Sequence, residues 1–541
     1  MTDVDRDDSS RAAEATPTNS TNSTALSHRQ ILVVLGGLMA GMLLAALDQS
    51  IVGTALPRIV SELGGLDHLS WVVTAYLLTA TASTPLWGKI SDLYGRRLIF
   101  QIAIGIFLVG SVLAGLSQDM TQLIGSRAVQ GMGGGGLMSI ALAIVGDVIP
   151  ARQRGKYQGY FGVVFGVSSV AGPLMGGFFT DGPGWRWIFW INVPIGLAAL
   201  VVTSLALRMP LKRREHRIDY LGAMVIVAAV SSLLLYLNWA GNEYGWFAGR
   251  SLALLGGAIA LAVVFVVVEH YAEEPIIPLR LFRNRVFSVG NLFAALCGVA
   301  MFGAIVFFPL YLQAVMGMSP TMSGLGMLPA VAGIFTTSIG SGQLMTRTGR
   351  YKIFPILGGA TLIVALLLLS TLTFETPYWQ AAIFVYFFGA GLGFTMQTIV
   401  TAVQNSVAMS DMGAATSSTV FFRQTGGAIG TAVFGAVLSS RLSTYLAEEL
   451  AGAVPPGTRT PNVDANNIEA IQRLQEPLKT PVLTAFSNAI DDVFLVGVPF
   501  VAAAFIVSLF LKELPLRTSN EVRPPADAPK APADEVRAAS D

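Results

Sequence analysis

Along most of the chain, runs of roughly twenty apolar residues alternate with short polar turns, the length a helix needs to cross ~30 Å of hydrocarbon. Because lipid offers backbone groups no partner but themselves, such runs predict helices. Fourteen runs qualify. The first six are 31–55, 70–87, 98–116, 123–149, 157–179 and 187–207; two more are 220–239 and 252–268; the last six are 287–310, 323–344, 353–372, 379–403, 415–438 and 493–511. The pattern therefore predicts an all-α integral membrane protein with 14 transmembrane helices.

Composition agrees. Of 541 residues, 53% are hydrophobic and 12% charged, about half the usual globular share of charge, which excludes a soluble enzyme. A net charge of +1 argues against a nucleic-acid partner, since binding by counterion release needs a basic face. The single cysteine, Cys297, excludes disulfides and cysteine zinc sites, and no metal site or cofactor is expected. Alternate short loops differ in charge: one set carries seventeen Lys and Arg, the other only Arg58, Arg186 and Arg250. Retention of basic loops in the cytoplasm predicts that both termini lie inside. Residues 1–29 and 512–541 read as disordered cytoplasmic tails. The one long polar loop, 439–492, falls outside, with 442–450 and 468–474 as candidate amphipathic helices; it reads as a tolerated insertion or a docking site for an outer protein partner.

A short repeat divides the chain. Gly88-Lys-Ile-Ser-Asp92-Leu-Tyr-Gly95-Arg96 after the second run matches Gly342-Gln-Leu-Met-Thr346-Arg-Thr-Gly349-Arg350 after the tenth. Six spans, a separate pair and six more fit that duplication: 30–208 as one six-helix bundle, 209–285 as two linking helices, 286–511 as a second six-helix bundle. Repeated bundles suggest a transporter whose site lies between them near the midplane.

A carboxylate within a span is costly, and the cost falls when it takes up a proton, so Asp48 is the first choice for proton coupling. Lying 19 residues past Arg29, it also reads as an interfacial aspartate at the outer end of its span. Arg127 cannot lose its charge and needs an acid, acceptors or water; facing a cavity it can tie proton release from Asp48 to geometry, and snorkelling outward is its rival reading. The glycines from Gly131 to Gly136 lack the strand and the Lys-Ser/Thr of a phosphate loop and read as close helix packing.

Four patterns in order resemble the major facilitator superfamily, in particular its fourteen-span drug:proton antiporter branch: 47–57 around Asp48, the turn from Gly88 to Arg97, Arg127-Ala-Val-Gln130-Gly131, and Gly172-Pro173-Leu-Met-Gly176-Gly177. The resemblance covers about residues 30 to 511. It implies that Gly172, Pro173, Gly176 and Gly177 form the antiporter motif, and that Gly88, Asp92, Gly95, Arg96 and Asp147 form a conformational latch. There Arg96 would pair with Asp147, and Asp92 would meet the start of the eleventh span. Thr346 stands where the second copy would need its aspartate.

Polar and aromatic residues at mid-depth are candidate substrate contacts: Tyr76, Asn291, Gln397, Gln404, Asn405 and Arg423, with Phe307 and Phe308 nearby. Each also reads as a bridge within a bundle or, for the phenylalanines, as lipid-facing. The expected function is export of a small amphipathic substrate by alternating access, with protons and membrane lipid as partners, in a bacterial cytoplasmic membrane. A dedicated exporter of one endogenous metabolite or lipid would share every motif, and competition by unrelated compounds separates the two. A receptor or scaffold built on the outer loop would have no evident use for Asp48 and Arg127.

Overall fold

The computed structural model describes residues 28–64, 69–206, 219–242, 244–453 and 471–517. Among them the ordered elements are helices, with no strand. The first group comprises α1 (His28–Leu63), α2 (Leu69–Tyr94), α3 (Arg96–Leu116), α4 (Met120–Val148), α5 (Ala151–Asp181), α6 (Trp187–Trp190) and α7 (Asn192–Ala206). A pair follows, α8 (Tyr220–Asn242) and α9 (Gly249–Tyr271). The second group is α10 (Arg285–Ala314), α11 (Pro320–Leu325), α12 (Leu328–Thr348), α13 (Ile353–Leu369), α14 (Tyr378–Ser406), α15 (Met412–Ala453) and α16 (Lys479–Leu509).

Each of the fourteen apolar runs falls on one of these helices, α6 with α7 and α11 with α12 each making a single interrupted rod. Among the described residues, ten helical stretches are both long and apolar enough to cross a membrane. α13 is short at 17 residues, and α2, α5 and α15 fall outside the ten. These last three join the two groups: α2 packs on α15 and α5 on α12. Thr81 and Thr84 of α2, Gly172 and Gly176 of α5, and Thr416 to Thr419 of α15 are buried against protein, and such helices need less apolarity than a lipid-facing one.

The two groups share one packing plan. In the first, α4 lies against α2 and α3, and α1 against α5 and α7; in the second, α14 lies against α12 and α13, and α10 against α15 and α16. The repeated turn shares a backbone feature: Gly95 (φ 95°) and Gly349 (φ 71°) both take a positive φ, which glycine adopts without strain. Between the groups, α8 touches both α2 and α15. α9 packs on α8, and only 11% of its apolar window is buried, the exposure expected of a helix bathed in lipid.

Two stretches expected as an outer loop and a tail carry more order than expected. In the polar stretch 439–492, α15 continues to Ala453 and α16 already begins at Lys479, while 454–470 lie outside the described residues. Leu442, Leu450, Ile471 and Phe486 are buried in the second group's core, so apolar contacts hold these extensions. The tail expected to be disordered from 512 onward is held as far as Arg517. Tyr351 accepts from Leu514 N (3.0 Å) and donates to Lys512 O (2.7 Å), and Asn405 bonds both Pro515 O (3.1 Å) and Arg517 N (3.0 Å). The remainder of both tails, 1–27 and 518–541, lies outside the described residues.

Helices α12 and α14 meet backbone to backbone, since a Cβ at Gly389 would land on the carbonyl of Ala330 and one at Gly333 on that of Tyr386. Gly389→Val is expected to lower stability in detergent by about 1 to 3 kcal/mol, the usual cost of overpacking. Gly340→Ala, on the same helix as Gly333 but facing open space, should leave the melting midpoint in place.

Candidate functional site

Asp48 stands 20 residues into α1 and Arg127 7 residues into α4, whose chain runs the other way. At 1.5 Å per residue this puts the pair ~10 Å inside the end opposite the basic loops. Both side chains are buried, at 0% and 1% exposure. Arg127 Nη1 donates to Asp48 Oδ2 at 2.5 Å and to Gln130 Oε1 at 2.6 Å, and its Nε reaches the carbonyl of Val72 at 3.3 Å. Gln130 Nε2 and Asn192 Nδ2 both donate to the other carboxylate oxygen, Oδ1, at 2.8 and 3.2 Å. The guanidinium lies over the Tyr76 ring, 4.4 Å from its centroid. Every charge is thus met by a partner, as burial in lipid requires.

Local sequence builds the surround. Gln130 follows Arg127 by three positions on one helix face. Pro194 cannot supply the helical N–H and ends the preceding rod, so the chain breaks between α6 and α7. At that break Asn192 points at Asp48, and Ser111 of α3 accepts from Asn192 (3.0 Å) while donating to Phe189 O (2.9 Å). Asn192 and Ser111 belong to no motif, and nothing in the sequence singles them out; Gln130 is visible there only as part of one.

The glycines of the fifth run bring α5 close to Asp48. A Cβ at Gly172 would strike Ser50 and one at Gly176 would strike Thr54, both on the turns of α1 that follow Asp48, and Ser50 donates to Ser168 O at 2.8 Å. Pro173 sits inside α5, and Gly177 faces open space.

At the basic end the expected latch residues meet. Arg96 Nε bonds Asp147 Oδ2 at 2.6 Å and Nη1 bonds Ser91 Oγ at 2.6 Å, while the guanidinium also pairs with Asp92. Asp92 in turn accepts from Gly413 N (3.0 Å) and Ala414 N (2.9 Å), the first turn of α15, where unpaired N–H groups favour a carboxylate. Gly88 leaves room for Ser417 and the carbonyl of Gly413 at this crossing. The partner of Asp92 is therefore the thirteenth apolar run and not the eleventh, because tertiary packing brings the start of α15 beside α2. Burial pushes the Asp92 carboxyl up to about 6, with Asp147 adding to the rise and Arg96 and the two amides pulling against it.

The residues expected to contact substrate divide. Tyr76 belongs to the Asp48 cluster. Asn291 accepts from Thr419 at 2.9 Å and bridges α10 to α15. Gln397 and Gln404 line a space of about 10 Å³ between α4, α5 and α14, room for about one water. Gln404 is committed elsewhere: it accepts from Arg154 (2.7 Å) and donates to Leu142 O (3.0 Å) and Thr416 (2.9 Å). Arg154 also caps the carbonyls of Gly146 and Ile149, a cross-group clasp that no motif announced. Asn405 holds the C-terminal segment, so its amide has its own partners at the basic end. Phe307 and Phe308 are buried in the second core, away from lipid. Arg423 lines a separate small space among α10, α14 and α15.

Comparison with known proteins agrees with the all-helical fold. Residues 38–431 match the family profile of the Major Facilitator Superfamily. The chain is 42% identical over 486 residues to an "Uncharacterized MFS-type transporter" of Mycobacterium tuberculosis, covering 90% of this chain and 70% of that one. It is 36% identical over 520 residues to "Multidrug transporter protein MdtP" of Bacillus subtilis, covering 92% and 95%. The solved structure of the human organic anion transporter MFSD10 (TETRAN) superposes with a TM-score of 0.57 at 15% identity, over 87% of this chain and 99% of that one, a likeness of fold alone.

Gln130→Leu removes a donor from Asp48 and an acceptor from Arg127, and should cost about 1 to 3 kcal/mol in detergent melting. For the latch, the joined ends hold the Asp92 proton more tightly than a hydrated carboxyl titrating near the ordinary 3.8 would. Joining should strengthen as pH falls through about 6 and weaken as it rises past it. Spin labels at Tyr94→Cys and Ser410→Cys, both exposed positions, should gain short-distance population between neutral and mildly acidic pH, and Asp92→Asn should remove that dependence.

Proposed function

Because the chain belongs to the Major Facilitator Superfamily, we propose that it is a proton-coupled antiporter that exports amphipathic compounds across a bacterial cytoplasmic membrane. The proposal includes fourteen spans in two six-helix bundles joined by α8 and α9, with both termini on the cytoplasmic side. The observation that carries it is the Asp48–Arg127 pair, an acid and a permanent cation sealed inside apolar helices. A structural ion pair in lipid would be replaced at little loss by apolar residues, whereas a carboxylate that must exchange a proton has to remain. The multidrug transporter among its relatives supports the substrate class.

In the proposed cycle the basic ends are joined, as Asp92, Arg96 and Asp147 hold them, and Asp48 takes up a proton from the outer side. The neutral acid no longer balances Arg127, so the guanidinium leans on Gln130, the Val72 carbonyl and the Tyr76 ring, and the packing of α4 against α1 loosens. The bundles then rock, the latch parts, and substrate entering from the cytoplasm accompanies return of the proton to that side. No Gly-x4-Gly-Lys-Ser/Thr occurs in the sequence, so the fuel is the proton gradient, ~2.3 kcal/mol per charge per 100 mV besides any pH difference.

Purified protein in detergent should release protons when a lipophilic cation such as ethidium is added, and Asp48→Asn should abolish that release and gradient-driven efflux in protein that still folds. Leaving Arg127 without its acid should lower stability in detergent melting by about 3 to 5 kcal/mol. Proton-dependent efflux that survives in Asp48→Asn would sink the assignment. No release from the wild type with any of several unrelated amphiphiles would favour a dedicated exporter.

A further inference from the structure

The second group carries an embedded cation with nothing to balance it. Arg423 lies on α15 beside Cys297 of α10, ~16 to 18 Å from the basic ends of these helices at 1.5 Å per residue, about the middle of a ~30 Å hydrocarbon layer. Its guanidinium lines a space walled by Phe293, Cys297, Met301, Leu392, Met396 and Ile399. The neighbouring Gln424 is spoken for by Thr84 of α2, at 3.3 Å. No carboxylate is at hand: between Arg285 and Asp411 the only acid is Glu375, in the turn before α14, and from Met412 to Ala447 α15 has none. Among the described residues, Arg423 makes neither an ion pair nor a side-chain hydrogen bond, in contrast to Arg127.

A guanidinium cannot shed its charge, and an uncompensated one at this depth is expensive. We infer that Arg423 is the receptor for the anionic head of an amphiphilic substrate, a carboxylate, sulfonate or phosphate, with the apolar wall of α10 and α14 taking its tail. This rests on the export reading and specifies its substrate class. In the present arrangement the space is about 10 Å³, room for about one water, so the ligand enters when the bundles part. The planar fork of the guanidinium suits a two-oxygen anion, and the surrounding low dielectric strengthens the contact.

Wild-type protein in phosphatidylcholine nanodiscs, titrated with dansyl-undecanoate and with its uncharged primary amide, tests this by fluorescence after subtraction of empty discs. The carboxylate should bind at least about tenfold more tightly than the amide, and Arg423→Gln should bring it down to the amide's level with amide binding unchanged. Arg423→Lys should keep part of the preference, and covers the case in which the glutamine variant does not fold. A preference that persists in Arg423→Gln, or an equal loss for both probes, overturns the inference, as does a trimethylammonium analogue that competes better than the carboxylate against wild type. Binding is read without a proton gradient, so the result is independent of whether Asp48 couples transport.

Discussion

Arg127 keeps its charge inside a layer that supplies no water, and the arrangement of the first six spans answers that fact. One carboxylate oxygen of Asp48 and the Gln130 carbonyl meet the guanidinium, and the other carboxylate oxygen takes the Gln130 and Asn192 amides. Four helical segments are pinned by this: α1 brings the acid, α4 the cation and Gln130, α7 the asparagine, and α3 the serine that orients it. The glycines at 172 and 176 then let α5 close over the turns that follow Asp48. The Asp48 and Arg127 side chains are buried, so under the proposed coupling a change of protonation at Asp48 would be transmitted as a change of packing.

The same scarcity of partners shapes the seam between the groups. Where α2 crosses α15, the N–H groups of a helix start would be unpaired, and Asp92 meets them. Where α4 ends, its last carbonyls would be unpaired, and Arg154 meets those of Gly146 and Ile149, while Gln404 of α14 bonds Arg154 in turn. The seam is held at the basic end by Asp92 of the first group on the start of α15, and by Gln404 of the second group on Arg154 and the Leu142 carbonyl of the first. Such contacts are strong when made and leave polar groups facing the aqueous end when broken, which suits a joint that opens and closes. The C-terminal segment adds to it, since the carbonyl of Arg517 accepts from Arg152 N at 3.2 Å and so touches the first group.

What the sequence made legible is what lipid enforces locally. A run of apolar residues can only be a helix, so each run fell on one; an acid and an arginine within such runs need each other, so Asp48 and Arg127 met. Partners brought by tertiary packing left little trace. Asn192 and Ser111 look like ordinary polar residues near span ends, and Gln404, read as a substrate contact, is a clasp because α14 happens to end beside α4. The meeting point of Asp92, expected at the eleventh run, lies at the thirteenth, because tertiary packing brings the start of α15 beside α2. The order of 512–517 comes from Tyr351 and Asn405, each more than a hundred residues away.

The repeat makes the remaining asymmetry informative. The two groups share helix order, packing partners and a positive-φ glycine at the same turn, so α4 corresponds to α14 and α5 to α15. Chemistry does not follow the duplication. The first group pairs its embedded Arg127 with the acid Asp48, whereas in the second Arg423 makes no ion pair among the described residues. Under the proposed coupling, a proton at Asp48 and an anion at Arg423 would divide the labour of exchange between the halves and set its electrical sense. If one anion leaves for each proton that enters, both movements carry positive charge inward, and an interior-negative membrane potential drives both.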